Sequence, residues 1–306
     1  MNIFVSGGTG FIGSEIVHRL LREPNPARIT VGTRVPERHK EGDSRISWTR
    51  VDVRDSASLE RATQGQEVVI HCVQFPNAPV ENTRRGWTYV QVDGEGTLRM
   101  VEAAKKSGVR RFVYLSGAGA GRGRSEPCFR AKQMAEDAIL KSGMEYVIFR
   151  PSWIYGPGDR SMNRFARMAR FLPFLPVIGD GSTRVQPVFV RDVAEAVARS
   201  VTSAKATNQL FELGGPEELT MDEIMKTVLR VLGKRRFLLH HPTGLMKLAA
   251  QFLKFLPGPP LTPGAVDFLT MENPVDSTAA VEALDLKLSN LEAGLGNYMG
   301  RAKLTT

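Results

Sequence analysis

Ile3, Phe4 and Val5 form an unbroken apolar run, the pattern of a strand covered on both faces. Ile16, Val17, Leu20 and Leu21 then recur at helical spacing, with Glu15, His18 and Arg19 turned elsewhere. This exchange of short apolar runs for helical stripes repeats through the first half. It predicts strands at Arg28–Gly32, Ser47–Arg50, Val68–His71, Phe112–Leu115 and Tyr146–Phe149. Between them it predicts a helix around Leu59 capped by Asp55, one over Thr88–Ser107 ended by Gly108, and one over Phe129–Ser142 ended by Gly143. Strands joined by helical crossovers make this an α/β chain with a doubly wound parallel sheet.

Beyond Gly158 the pattern becomes mostly helical, with stripes over Asn163–Phe171, Arg191–Ser203, Met221–Leu232 and Thr243–Phe255. Asp267–Glu272 and Leu284–Met299 finish this part or cross back. The expected division is therefore a nucleotide-binding domain over 1–158, joined by strands returning from about 185–214, and a smaller lobe over 159–306. Leu245, Met246, Leu248, Ala249, Phe252, Leu253, Phe255 and Leu256, flanked by Lys247 and Lys254, have two readings: packing on the lobe's own core, or docking on a membrane interface or partner.

Composition narrows the class. No apolar run approaches the ~20 residues of a membrane span and no signal peptide precedes the first strand, so a cytoplasmic protein is expected. Two cysteines, Cys72 and Cys128, form no disulfide framework, and the five histidines lack metal-ligand spacing, so no metal is expected. The formal charge is +9, but the basic residues are scattered without interleaved aromatics, which argues against nucleic acid as a partner.

The candidate chemistry gathers at the carboxyl ends of the predicted strands. Gly7, Gly10 and Gly13, with Thr9, Phe11 and Ile12, form a turn between strand and helix where bare main-chain N–H groups can meet a pyrophosphate. After the second strand, where a carboxylate would hold the ribose of NAD, the chain has Arg34, so NADP(H) is expected ahead of NAD(H). Asp52 and Val53 are candidates for the adenine edge. Cys72 and Val73 are candidates nearer the other half of the cofactor. His71 is read as a packed strand residue.

Gly7-Gly-Thr-Gly-Phe-Ile-Gly13, Asp93-Gly-Glu-Gly-Thr97 with Val101-Glu-Ala-Ala104, Arg111-Phe-Val-Tyr-Leu-Ser116, Arg150-Pro-Ser-Trp-Ile-Tyr-Gly-Pro-Gly158 and Val190-Arg-Asp-Val-Ala194 resemble the extended and atypical short-chain dehydrogenase/reductases. Ile178-Gly-Asp-Gly-Ser-Thr-Arg184, Leu213-Gly-Gly-Pro216, Leu256-Pro-Gly-Pro-Pro-Leu261 and Asn273-Pro-Val-Asp276 are similar to the subgroup of the dinucleotide-binding accessory subunit of respiratory complex I.

The resemblance implies a Rossmann domain and a centre of serine, tyrosine and lysine, the lysine binding the nicotinamide ribose and lowering the tyrosine pKa. Lys132 matches the lysine. Cys128 stands where the tyrosine is expected, and Gly117 where the serine is expected, with Ser116 one residue short. Cys128 is read as a small replacement ahead of a thiolate catalyst, because a thiol hydrogen-bonds weakly and reaches less far. Tyr155 is expected to pack.

The resemblance also brings Pro151 and Ser152 near the carboxamide, and an apolar pocket wall from Phe171, Leu172, Phe174 and Leu175 beside Gln186 and Pro187. The expected function is an NADP(H)-binding, atypical short-chain dehydrogenase/reductase-like protein with a degenerate Tyr–Lys centre, acting in a structural or redox-sensing role. The alternative is an active NADPH-dependent oxidoreductase or epimerase-type enzyme on a hydrophobic carbonyl, quinone or isoprenoid-like molecule. Beyond the dinucleotide, the expected partners are a hydrophobic small molecule and a membrane-associated complex, with the protein peripheral on the inner face of a membrane.

Overall fold

In the computed structural model, which describes residues 1–23, 27–39, 42–76, 78–253, 263–272 and 274–299, the first apolar run lies within a seven-stranded parallel sheet. The strands longer than two residues are β1 (Asn2–Ser6), β2 (Arg28–Thr33), β3 (Ile46–Arg50), β4 (Val68–His71), β5 (Arg111–Leu115), β6 (Glu145–Pro151), β7 (Phe174–Ile178), β8 (Gln209–Leu213) and β9 (Phe237–His241). The helices are α1 (Phe11–Leu20), α2 (Ser56–Thr63), α3 (Glu95–Lys106), α4 (Pro127–Leu140), α5 (Met162–Phe171), α6 (Val190–Ser200), α7 (Met221–Leu232), α8 (Thr243–Leu253), α9 (Pro263–Leu269), α10 (Thr278–Leu284) and α11 (Leu291–Met299).

The chain forms two compact units. The first comprises Met1–Pro151, Val190–Leu213 and Ser277–Lys287 and holds the sheet, ordered β8-β6-β5-β4-β1-β2-β3. The order reverses at β1, which pairs with both β2 and β4, so the crevice of a doubly wound sheet opens at its carboxyl end. Phe4, Val69, Phe112, Tyr114 and Ile148 bury one face of the sheet among Leu59, Met100, Ala104, Ala135 and Ile139 of α2, α3 and α4. α1 packs on α6, and Arg19 pairs with Glu195 between them. Asp55 caps α2 as expected, accepting from the N–H of Ala57 at 3.1 Å.

One predicted helix is divided. Tyr89–Gly94 winds as a π-turn before α3 begins at Glu95. The Asp93 carboxylate is buried there and accepts from the N–H of Phe75. A π-turn of this kind commonly accompanies a functional site.

The second unit comprises Ser152–Phe189, Gly214–Asp276 and Leu288–Thr306. In it β7 and β9 pair in parallel, with Phe174 opposite Phe237. Of the expected apolar wall, Leu175 is buried while Phe171, Leu172 and Phe174 are exposed. The buried stripe of α5 is Met162, Ala166 and Ala169, and Phe171 falls off it at the helix end. Tyr155 packs as expected, fully buried, and its hydroxyl donates to the carbonyl of Asn290. Leu245, Leu248 and Phe252 share one exposed face of α8, contrary to packing of that face on the lobe's core; Lys254, Phe255 and Leu256 lie outside the described residues. No described helix is long and apolar enough to cross a membrane.

Candidate functional site

β1 delivers the chain into a turn closed by the N–H of Gly10 donating to the carbonyl of Gly7 at 2.9 Å. Gly7 has φ +83, and a Cβ on it would lie 2.9 Å from the carbonyl oxygen of Cys72. A Cβ on Gly13 would stand 2.2 Å from the carbonyl oxygen of Gly7, so turn and helix approach in a way only glycine permits. α1 starts after Gly10 with no side-chain cap and no acidic residue in its first turn. Its first N–H groups, with Thr9 and Gly10 exposed and Phe11 and Ile12 half-buried beside them, form a cradle suited to a pyrophosphate.

Arg34 follows directly on β2 and is exposed, its guanidinium carbon 6.0 Å from the centroid of the Trp87 ring. Asp52 follows β3 by one residue, but its carboxylate is occupied by a two-point pair with Arg54, at 2.6 and 2.9 Å. That pairing holds the Asp52 carboxyl below the usual range. Val53 is buried in the core. Past β4, the Cys72 thiol donates to the carbonyl of Ser6 at 3.1 Å, and burial pushes its pKa up to about 12. Val73 is half-buried. His71 is packed as expected: it is fully buried, stacks on Tyr114, and its Nε2 lies 3.0 Å from the Thr97 hydroxyl.

α4 carries the second cluster. Lys132 donates from Nζ to the carbonyl of Leu115 at 3.0 Å, and its ammonium lies 5.1 Å from the centroid of the Tyr114 ring. Burial opposes the charge on Lys132, but Tyr114, Asp93 and Glu136 outweigh it and hold the pKa above the ordinary value. One turn earlier, Cys128 is half-buried at the start of α4, and burial raises its thiol pKa despite the helix end. Ser116 donates to Glu136 Oε1 at 2.5 Å, so its hydroxyl is committed. A Cβ at Gly117 would meet nothing within 4 Å, so space for a serine exists where none is present. Pro151 ends β6 and accepts from the N–H of Ala118 at 2.9 Å; Ser152 begins the second unit.

Three residues of this cluster carry no role in the pattern-based reading. Glu136, 1% exposed, accepts from Ser116 and from two nitrogens of Arg150. Its i+4 spacing from Lys132 was a usable signal. Asp93 has an Oδ1 with no hydrogen-bond partner and a pKa raised by burial to about 6. Burial raises the pKa of the Tyr114 hydroxyl, against the Lys132 ammonium that it faces, which favours its ionisation. The Thr97 hydroxyl donates to the Asp93 carbonyl at 2.6 Å. It is then left to accept from His71 Nε2–H, so His71 Nδ1 is a bare acceptor.

A parallel sheet that feeds an uncapped, glycine-lined helix start defines an α/β protein of the dinucleotide-binding class. The chain belongs to the NAD dependent epimerase/dehydratase family, whose pattern matches residues 3–214. Subunit 9 of the mitochondrial NADH dehydrogenase (ubiquinone) 1 alpha subcomplex of Arabidopsis thaliana is 29% identical over 226 residues, 72% of this chain and 55% of that protein. The chain thus spans little more than half the length of that relative. Ceramide reductase of Caulobacter vibrioides is 29% identical over 241 residues, covering 78% of this chain and 73% of the relative. Among solved structures, UDP-glucose 4-epimerase of Thermotoga maritima superposes with a TM-score of 0.75 at 22% identity, covering 99% and 98% of the two chains. That likeness concerns the fold.

Proposed function

We propose that the protein holds NADP(H) through its glycine loop and Arg34 and uses it as a structural or redox-sensing cofactor, with a degenerate Tyr–Lys centre. The observation that carries this reading is the state of α4. The position of the expected acid is a half-buried Cys128 with a raised pKa, Lys132 is drawn onto the Leu115 carbonyl, and Ser116 is spent on Glu136. A bound nicotinamide supplies or accepts hydride. These side chains offer no acid of suitable reach to move the matching proton. Gly7, Gly10, Gly13, Arg34 and Lys132 remain to bind the dinucleotide, with Pro151 and Ser152 at its nicotinamide end. Its relatives among complex I subunits support a place beside a membrane-associated assembly, as does the exposed face of α8.

A second reading, an NADPH-dependent reductase on a hydrophobic carbonyl, is favoured by the ceramide reductase relative and by a 3beta-hydroxysteroid-dehydrogenase/decarboxylase relative of Arabidopsis thaliana. The test is NADPH oxidation against a panel of long-chain and steroid ketones. The expected result is bound NADPH without turnover above background. Turnover that survives Cys128→Ala and is abolished by Lys132→Ala would establish the reductase instead.

A further inference from the structure

Asn82 and Trp87 exchange main-chain hydrogen bonds at 2.8 and 2.9 Å and close a short hairpin after β4. Asn82 Oδ1 accepts from the N–H of Arg85, and Gly86 turns the chain in the left-handed region at φ +65. The tip therefore carries Arg84 and Arg85, both exposed. Arg54 fastens this hairpin to the end of β3: it holds Asp52 with two nitrogens and donates from the third to the carbonyl of Arg85 at 2.8 Å. The consequence appears at Trp87. Its ring receives the guanidinium of Arg85 at 5.1 Å and that of Arg34 at 6.0 Å.

Two cations on one indole repel each other, and neither finds a carboxylate within ion-pair distance among the described residues; nor does Arg84. Two carboxylates at the neighbouring strand ends are already paired, Asp52 with Arg54 and Glu37 with Arg50, and Glu81 beside the hairpin accepts from the N–H of Tyr89. Asp52 acts on Arg34 only at longer range, so these guanidiniums have no direct ion pair at the strand ends, where the ribose of a dinucleotide lies in this architecture. Guanidinium pairs of this kind suit a phosphate monoester, which offers several acceptor oxygens and up to two negative charges. We infer that the Asn82–Trp87 hairpin is the second jaw of a 2′-phosphate subsite, with Arg85 as a ligand opposite Arg34 and Trp87 as the positioning residue that seats both. This rests on the NADP(H) reading and assigns a specificity role to a segment outside the strand–turn–helix motif.

Calorimetric titrations of the whole chain with NADPH, NADH, 2′,5′-ADP and 5′-AMP test it. Arg85→Ala is expected to weaken NADPH and 2′,5′-ADP by about tenfold or more while NADH and 5′-AMP change by less than about twofold. Trp87→Leu is expected to lower the same preference in part, and its retained NADH binding reports an intact fold. If Arg34→Ala abolishes the preference for NADPH but Arg85→Ala leaves it intact, the second jaw is overturned and the NADP(H) reading stands. Equal losses for NADPH and NADH in Arg85→Ala overturn the jaw as well. Wild-type protein that binds NADH as tightly as NADPH overturns both.

Discussion

Asp93 is a carboxyl whose charge this fold resists. One carboxylate oxygen meets only the N–H of Phe75 and the other meets no hydrogen-bond donor, and burial lifts the pKa from 3.8 to about 6. Because the folded pKa lies above the unfolded one, the native state binds the extra proton between those values. Its stability therefore falls as pH rises from about 4 to about 6 and stays lowered above that, by up to about 3 kcal/mol at pH 7. Asp93→Asn should gain stability over wild type in urea melts at pH 7 and gain nothing at pH 4; an equal effect at both pH values would contradict the assignment. Glycine spacing in the sequence was enough to locate the tight turn between β1 and α1, because Gly7 and Gly13 are demanded by local sterics. Asp93 was legible only as part of a family-like string, since its burial depends on Phe75, which arrives from the loop after β4.

At the scale of elements, α4 and β6 form one device. Lys132 and Glu136 stand on the same face of α4, and Arg150 at the end of β6 meets Glu136 at 2.6 and 3.0 Å. With Glu136 1% and Arg150 16% exposed, removal of the cation leaves a buried carboxylate unpaired. Arg150→Ala should thus cost about 3–5 kcal/mol in denaturant melts, and the Glu136→Gln/Arg150→Met double variant should recover most of that loss. A double variant no better than the single would refute the explanation. The apolar stripe made α4 visible in the sequence, and the i+4 spacing hinted at a shared face. The pairing itself needed the strand register, which no linear pattern contains. The π-turn at Tyr89–Gly94 was also hidden, because its residues continue a helical stripe and differ only in how the turn is wound.

Across the whole molecule, the parallel sheet was readable because its central strands β1, β4 and β5 are buried apolar runs punctuated by helices. The discontinuous make-up of the first unit was harder to see. Ser277–Lys287 rejoins it through α10, where Arg199 donates to the carbonyls of Leu284 and Asp285 at 2.9 and 2.6 Å. These contacts link residues about 85 positions apart. The first unit brings the glycine loop, the Arg34 strand end and the Lys132 helix to the carboxyl edge of one sheet, which is what a dinucleotide needs. The central claim, that this edge grips a phosphorylated dinucleotide through bare main-chain amides, is tested by thermal unfolding with increasing NADPH. At a free concentration about 100 times the dissociation constant, stability should rise by about 2.7 kcal/mol, and by less with NADH at the same concentration. An unfolding temperature that neither dinucleotide moves would contradict it.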